Sequence, residues 1–232
     1  MKTLLIIPAY NEAQNIAGVA QAVAEAGYDF IIINDGSTDD TLAVRHEHGL
    51  PVLDLKENLG IGGAVQTGHK YALDHGYDVD VQFDGDGQHD IAHVPPLLKA
   101  IESGADLAIG SRFMTKTEGF RSSAMRRVGI RWLSAFIRLF SGARITDPTS
   151  GFRACNLRAI KLFCRDYPMD YPEPESIVTA INHGLNVQET PVVMHERAGG
   201  LSSIRAISSV YYMIKVSLAI VIMSFDHSKE AR

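Results

Sequence analysis

Short apolar runs rich in β-branched residues alternate with helical patterns through the first half of the chain, and that alternation leaves few folds open. Thr3–Pro8, Phe30–Asn34, Val52–Leu55, Val79–Phe83 and Leu107–Gly110 read as strands. The segments Glu12–Ala26, Asp39–His48, Gly62–His75 and Val94–Ser103 read as helices. Such repetition predicts βαβ units and a mainly parallel sheet with helices on both faces. In these α/β folds ligands bind beyond the carboxyl ends of the strands. Several strands here end in polar, turn-forming clusters: Pro8-Ala9-Tyr10-Asn11-Glu12, Asn34-Asp35-Gly36-Ser37 and Asp84-Gly85-Asp86-Gly87. Brought to one sheet edge, they would form a polar crevice suited to a nucleotide.

Beyond Arg112 the alternation stops. Phe113–Ser122 reads as a loop, and Ser123–Ser141 as a basic amphipathic helix carrying Arg126, Arg127, Arg131 and Arg138. A turn at Asp147–Gly151 follows, then two shorter helices, a strand near Val187–Met194 and a Gly/Ser loop at Gly199–Ser203. No repeat or linker divides the 232 residues, and a chain this long that is 46% hydrophobic can bury a core without disulfides or a structural metal. Cys155 and Cys164 stand in neither metal-ligand nor redox spacing. A net charge of −5 argues against nucleic acid as a partner. The opening run Met1–Pro8 is too short for the apolar region of a secretory signal and reads as a buried strand. From Val210 to Phe225 the chain is mostly apolar, with Lys215 its single charge. The stretch after Lys215 is only about half of the ~20 residues that span a bilayer. An interfacial helix, or one docked on a membrane partner, is therefore expected there. Such a helix would pair subunits as readily.

The chemistry concentrates in Asp84-Gly85-Asp86, directly after an apolar strand. Two carboxylates across one small residue at a strand end can face one crevice. Hard oxygen ligands of this kind suit Mg²⁺ or Mn²⁺ held jointly with substrate phosphates. A solvated Asp-Gly turn has the same letters, so the surroundings decide. Asp39 or Asp40 can cap the helix that follows, but capping does not account for Asp35 at the end of its strand. A carboxylate there could accept from the imide N–H of uracil. Asn58-Leu59-Gly60-Ile61-Gly62-Gly63 lacks the Gly-Lys-Ser/Thr ending of a P-loop and the third glycine of a dinucleotide fingerprint. Its glycines are expected to let a helix start pack closely against the donor. His89 and His93 have helical spacing without a third ligand, so a separate zinc site is not expected.

Pro8-Ala9-Tyr10-Asn11-Glu12, Asn34-Asp35-Gly36-Ser37-Thr38-Asp39, Asn58-Leu59-Gly60, Asp84-Gly85-Asp86-Gly87-Gln88 and Gly110-Ser111-Arg112 together resemble glycosyltransferase family 2. The branch resembled is that of dolichol-phosphate mannose synthases and bacterial polyprenyl-phosphate glycosyltransferases. The resemblance implies a GT-A, Rossmann-like fold and a divalent metal. It also implies that Asp35 reads the base, that Asp84 lies near ribose or diphosphate, that Asp86 holds the metal, and that Gln88 sits beside metal and sugar. Pro8, Ala9, Tyr10, Glu12, Ser37, Asn58, Gly60 and Gly85 would complete the nucleotide-sugar site. Asp147-Pro148-Thr149-Ser150-Gly151-Phe152-Arg153 resembles the acceptor segment, and Arg197-Ala198-Gly199-Gly200-Leu201-Ser202-Ser203 a late loop that carries lysine in many relatives at Ser203.

Arginine binds phosphate bidentately, which a sugar hydroxyl would not require. Arg127, Arg131, Arg153 and Arg197, with Ser202, are the expected acceptor-phosphate contacts, with Arg112, Gln88, Asp86 and Asp147 at the reacting centre. A solvated basic helix face is the plain alternative for the first two. Asp147 would orient the acceptor or take a proton, though a turn before Pro148 explains it equally well; Glu173 and Glu175 are open in the same way. The implied reaction is an inverting transfer from a UDP-sugar, GlcNAc or glucose favoured, to a polyprenyl phosphate such as undecaprenyl phosphate. Its product would serve cell-envelope polysaccharides. The expected division is a catalytic domain over 1–205, with a nucleotide-sugar half (1–112) and an acceptor half (113–205), and a docking tail over 206–232. Small undecaprenyl-phosphate transferases of this type work with a small integral membrane protein, which implies the cytoplasmic face of the membrane. The rivals are a GT-A enzyme acting on a glycan hydroxyl, a nucleotidyltransferase, and a non-catalytic sugar-nucleotide module. The nucleotidyltransferase lacks support, because no Gly-rich N-terminal segment with Arg and Lys is present.

Overall fold

The computed structural model describes residues 1–114, 124–195 and 212–223. Its strands are β1 Thr3–Ala9, β2 Asp29–Asp35, β3 Val52–Leu55, β4 Val79–Gln82, β5 Leu107–Ser111, β6 Arg153–Asn156 and β7 Val187–Pro191. They form one seven-stranded sheet in the order β3-β2-β1-β4-β6-β5-β7. Every pairing is parallel except those of β6, which runs antiparallel to both β4 and β5. The helices are α1 Ile16–Glu25, α2 Thr41–His48, α3 Gly60–Asp74, α4 Val94–Glu102, α5 Ala124–Ser141, α6 Leu157–Arg165 and α7 Pro172–Asn182. Residues 212–223 form a further helix.

The strand pattern explains the layering. Successive side chains of a strand point to opposite faces, and β1 is apolar at nearly every position. Leu5, Ile7 and Ala9 pack with Ile16, Val19 and Val23 of α1 and Val94 and Leu97 of α4. Leu4 and Ile6 pack on the opposite face with Ala64 and Ala72 of α3. A second large cluster joins β5 to α5, α6, α7 and the helix 212–223 through Leu107, Ile109, Leu133, Ile137, Ile160, Ile177, Val216 and Ile220. Cys155 lies in this core beside the hydrogen-bonded pair His69–Asp80 (2.7 Å). Burial, and then the Asp80 carboxylate, push its thiol pKa well above the ordinary range, which makes it inert.

Three sequence expectations change. The strand β6 was not anticipated: four residues, Arg-Ala-Cys-Asn, carry no alternation to reveal them. The glycines after Asn58 serve protein packing. A Cβ on Gly62 would lie 2.3 Å from the carbonyl oxygen of Pro168 and 2.4 Å from that of Met169, so α3 starts against the backbone leading to α7. Helix α1 also begins later than expected, because the amides of Asn15 and Ile16 both donate to the carbonyl of Glu12 in a preceding turn.

Gly62→Ala tests this contact. Overpacking of this kind costs about 1–3 kcal/mol, against roughly 1 kcal/mol gained from alanine's helix propensity. The expected outcome is a Tm lower by a few degrees, at about 2–4 °C per kcal/mol for a domain of this size. An unchanged or higher Tm by calorimetry would contradict the close approach.

Candidate active site

The parallel sense of β1, β2, β4 and β5 brings their carboxyl-end loops to one edge, and side chains stitch the loops together. Asn11 takes a left-handed conformation (φ 57°), as Asn does more readily than bulkier residues. Its amide donates to Ser37 Oγ (3.0 Å), and its Oδ1 accepts from the amides of Thr38 (2.8 Å) and Asp39 (3.3 Å). Asp39 Oδ2 accepts from the Ala13 amide (3.2 Å), and Thr41 Oγ1 from the Glu12 amide (3.0 Å). Asp39, not Asp40, therefore supplies the carboxylate at the start of α2: its Oδ1 accepts from the Thr41 amide at 3.0 Å. Asp35 Oδ1 accepts from the Leu59 amide (2.7 Å), tying the third loop to the first two. Burial raises the Asp35 pKa against the opposing pull of the Leu59 and Gly60 amides.

Of the residues expected to hold the nucleotide sugar, Pro8 and Ala9 are buried at the end of β1 and Glu12 is buried just beyond it. Tyr10 is half exposed (49%), with its ring open to an incoming planar group. Ser37 is taken up by Asn11, and Asn58 Oδ1 accepts from the Gly60 amide (3.0 Å). Gly60 opens α3 with φ +77°.

The acidic turn is held from below. A Cβ on Gly85 would lie 3.0 Å from the Pro8 carbonyl, so this position presses the turn onto β1. The Asp84 amide donates to His89 Nδ1 (3.0 Å), and His89 Nε2 lies 3.5 Å from Asp84 Oδ2. Gln82 Nε2 donates to Asp84 Oδ1 (3.0 Å). Asp86 Oδ1 accepts from the Gln88 amide (3.0 Å), closing the turn. Gln88 Nε2 donates to the His195 carbonyl (3.3 Å), and the His195 amide donates back to Gln88 (2.9 Å). Both carboxylates stay partly exposed among buried neighbours. Two hard oxygen groups on a short, backbone-braced turn fit an octahedral divalent cation shared with a diphosphate.

In the second half of the site Arg153 departs from expectation, and Asp147, which the sequence left open, is seen bracing its turn. Asp147 is fully buried. Its Oδ2 accepts from the Arg112 amide (3.1 Å) and Nε (2.7 Å), and its Oδ1 from Arg112 Nη2 (2.7 Å) and Thr149 Oγ1 (3.2 Å). Both its oxygens are occupied by Arg112 and Thr149, so Asp147 holds Arg112 and the turn in place. Arg153 is likewise buried and does not face a ligand. Its guanidinium donates to the carbonyls of Ser150 (2.7 Å), Pro148 (3.4 Å) and Glu173 (2.6 Å) and to Ser176 Oγ (2.7 Å). The turn it holds reaches back to the metal side: a Cβ on Gly151 would lie 3.1 Å from Asp84 Oδ2.

Arg127 and Arg131 are exposed on α5. With Arg138, Arg144, Phe113 and Ile145 they line a groove of about 840 Å³ whose wall includes Thr146, the residue before Asp147. Arg197 and Ser202 lie outside the described residues. Sequence reasoning missed Glu189, whose carboxylate accepts from the amides of Thr146 (2.8 Å) and Asp147 (2.8 Å). A lone acid in a polar edge strand gave no sign of it. Gln82 was legible in principle, as a polar side chain inside an apolar run. Glu173, left open by the sequence, lies at the start of α7 beside Arg153; burial raises its pKa, opposed first by the Arg153 charge.

The family model for Glycosyl transferase family 2 matches residues 4–163. The polyprenol monophosphomannose synthase of Mycolicibacterium smegmatis is 32% identical over 227 residues, 93% of this chain and 86% of that protein. The UDP-N-acetylglucosamine–dolichyl-phosphate N-acetylglucosaminyltransferase of Methanococcus voltae is 33% identical over 211 residues, covering 81% and 83% of the two chains. Among solved structures, glucosyl-3-phosphoglycerate synthase from Mycobacterium tuberculosis, in complex with Mn²⁺, UDP and phosphoglyceric acid, superposes with a TM-score of 0.71 at 18% identity. It covers 96% of this chain and 78% of that one, and the likeness is one of fold, the GT-A arrangement of a mostly parallel seven-stranded sheet. The chain belongs to glycosyl transferase family 2 and is a glycosyltransferase.

Proposed function

We propose that this enzyme transfers a hexose from a nucleoside diphosphate sugar to a polyprenyl phosphate, inverting the anomeric centre, at the cytoplasmic face of a membrane. The observation that carries the reading is the juxtaposition of two features. The Asp84–Asp86 turn is joined through Gly151 to the Asp147–Arg112 pair, and the sequence neighbours of that pair, Thr146 and Phe113, help line an arginine-rich, partly apolar groove. A lipid phosphate needs cations for its head and apolar walls for its first isoprene units. The relatives' names support the acceptor class, since they include polyprenol, dolichyl and undecaprenyl phosphates. Those names carry both mannose and N-acetylglucosamine; the motif resemblance to small undecaprenyl-phosphate transferases makes UDP-GlcNAc or UDP-glucose the favoured donor, with GDP-mannose its rival in the test.

Asp86, with Asp84, would hold Mg²⁺ or Mn²⁺, which supplies positive charge for the departing diphosphate. Asp35 and the half-exposed Tyr10 ring would receive the base, and Gln88 the sugar. Arg127 and Arg131 would align the acceptor phosphate for in-line attack. That phosphate, with a second pKa of roughly 6, is already an anion near neutral pH and needs no strong base. A small integral membrane protein remains the expected partner.

A hydroxyl acceptor is the second reading, and Glu173 favours it. A carboxyl whose pKa is raised by burial suits a general base.

Transfer of radiolabelled sugar from a panel of UDP-sugars and GDP-mannose to undecaprenyl phosphate, with Mn²⁺, Mg²⁺ or EDTA, tests the proposal. A metal-dependent, organic-soluble product is expected; failure across the panel despite UDP binding would overturn the acceptor class. Asp86→Ala should lower kcat by at least about 10³-fold, several kcal/mol of lost charge stabilisation, while leaving the fold intact. Near-normal turnover would remove Asp86 from the metal site. Glu173→Gln separates the two readings: a loss of kcat above ~10²-fold, in the range of general-base removal, would favour the hydroxyl acceptor, and a small change the phosphate.

A further inference from the structure

Helix α5 and the helix 212–223 lie side by side on one flank. Their inner faces are buried together through Leu133, Ile137, Val216 and Ile220. Their seam is closed by Trp132 Nε1, which donates to Ser217 Oγ at 3.1 Å. On the outer side α5 exposes Val128 (66%), Trp132 (53%) and Leu139 (75%), and the second helix exposes Ile214 (58%), Leu218 (57%) and Ile222 (67%). Each set follows helical spacing, so two apolar stripes run next to one another. Neither helix contains an acidic residue, and Arg127, Arg131 and Arg138 lie along α5, while Lys215 on its neighbour is paired with Asp170. The chain as a whole carries −5. Among the described residues no helix is long and apolar enough to cross a membrane.

We propose that this two-helix flank, and not the terminal helix alone, is a membrane-docking face whose partner is an anionic lipid surface. A contiguous exposed apolar face with a basic fringe fits headgroups above and acyl chains below. A second copy of the chain fits less well, because a two-fold interface would set the same arginines against each other. The face deepens the acceptor reading, since the arginine groove opens beside α5 and would meet a lipid phosphate at the headgroup level.

Trp132 is the chain's single tryptophan, so its fluorescence reports on this face directly. With vesicles of phosphatidylglycerol the emission should shift to the blue and the protein should sediment. Phosphatidylcholine vesicles or high salt should weaken both by tenfold or more. Val128→Glu and Leu218→Glu should abolish sedimentation while leaving transfer to a short, water-soluble isoprenyl phosphate unchanged. Equal binding to neutral vesicles, or none, would overturn the proposal; so would a blue shift that grows with protein concentration in the absence of lipid, which would assign the face to self-association. Vesicle binding without transfer to any lipid phosphate would sink the acceptor reading and leave the docking face standing.

A separate observation concerns His89. Its Nδ1 accepts from the Asp84 amide, so a neutral ring carries its proton on Nε2, the nitrogen 3.5 Å from Asp84 Oδ2. The ring is stacked on Phe152 (4.6 Å, 20°) and meets Phe83 edge-on (5.5 Å), which fixes its plane. The geometry points to His89 as a positioning residue that holds both the backbone and the carboxylate of Asp84. His89→Asn keeps an acceptor near Nδ1, and His89→Phe keeps only the ring stack. UDP affinity measured with Mn²⁺ by calorimetry should fall in the order wild type, H89N, H89F, by about tenfold or more in the last, with a partial return in H89N. Wild-type affinity in folded H89F, or H89N binding no better than H89F, would reduce His89 to a packing residue.

Discussion

The guanidinium of Arg153 sits where water cannot reach it, on the reversed strand at the middle of the sheet. Burying an ion costs several kcal/mol even after relaxation, and here that cost is offset by charge-assisted bonds to backbone carbonyls and a hydroxyl. The recipients are the turn 148–150 and the start of α7. Fixing that turn fixes Gly151 against Asp84 and Asp147 under Arg112. One buried cation thereby sets the distance between the acidic turn of the first half and the arginine groove of the second.

The crevice is electrostatically divided. On the side built by β1, β2 and β4 the exposed groups are carboxylates and amides, which suits a cation and the phosphates it accompanies. On the α5 side the exposed charges are guanidinium groups. Arg112 belongs to neither set as a free ion, because Asp147 takes its donors. Its charge is thereby committed within the fold, to Asp147 and the turn it braces.

The sequence disclosed what local periodicity and strand-end chemistry encode. The strands and helices of the first half fall within a few residues of the structure, and the loops at Asn11, Asp35 and Asp84 meet at one edge as the βαβ pattern predicts. What failed depends on distant neighbours. Arg153 looks like a phosphate ligand until β6 is seen to bury it between β4 and β5. Asp147 stays open between acceptor contact, base and turn former until Arg112, 35 residues away, is found on both its oxygens. Gly62 reads as making room for the donor at a helix start, yet its missing side chain makes room for the carbonyls of Pro168 and Met169. Such partners lie far along the chain and leave no mark on the letters nearby.

The reversed strand also bears on how the molecule is made. The pairs β1–β2, β2–β3 and β1–β4 can form as soon as residue 82 has emerged, whereas β4 waits for residues 153–156 to cover its other side. Pairings this distant are slow, because loop closure precedes any gain. Throughout that interval Val79-Asp80-Val81-Gln82 is an open edge, a template for foreign strands. Asp80, the one charge on that edge, is the kind of residue that discourages such pairing, and it becomes the buried partner of His69 once β6 has closed the sheet.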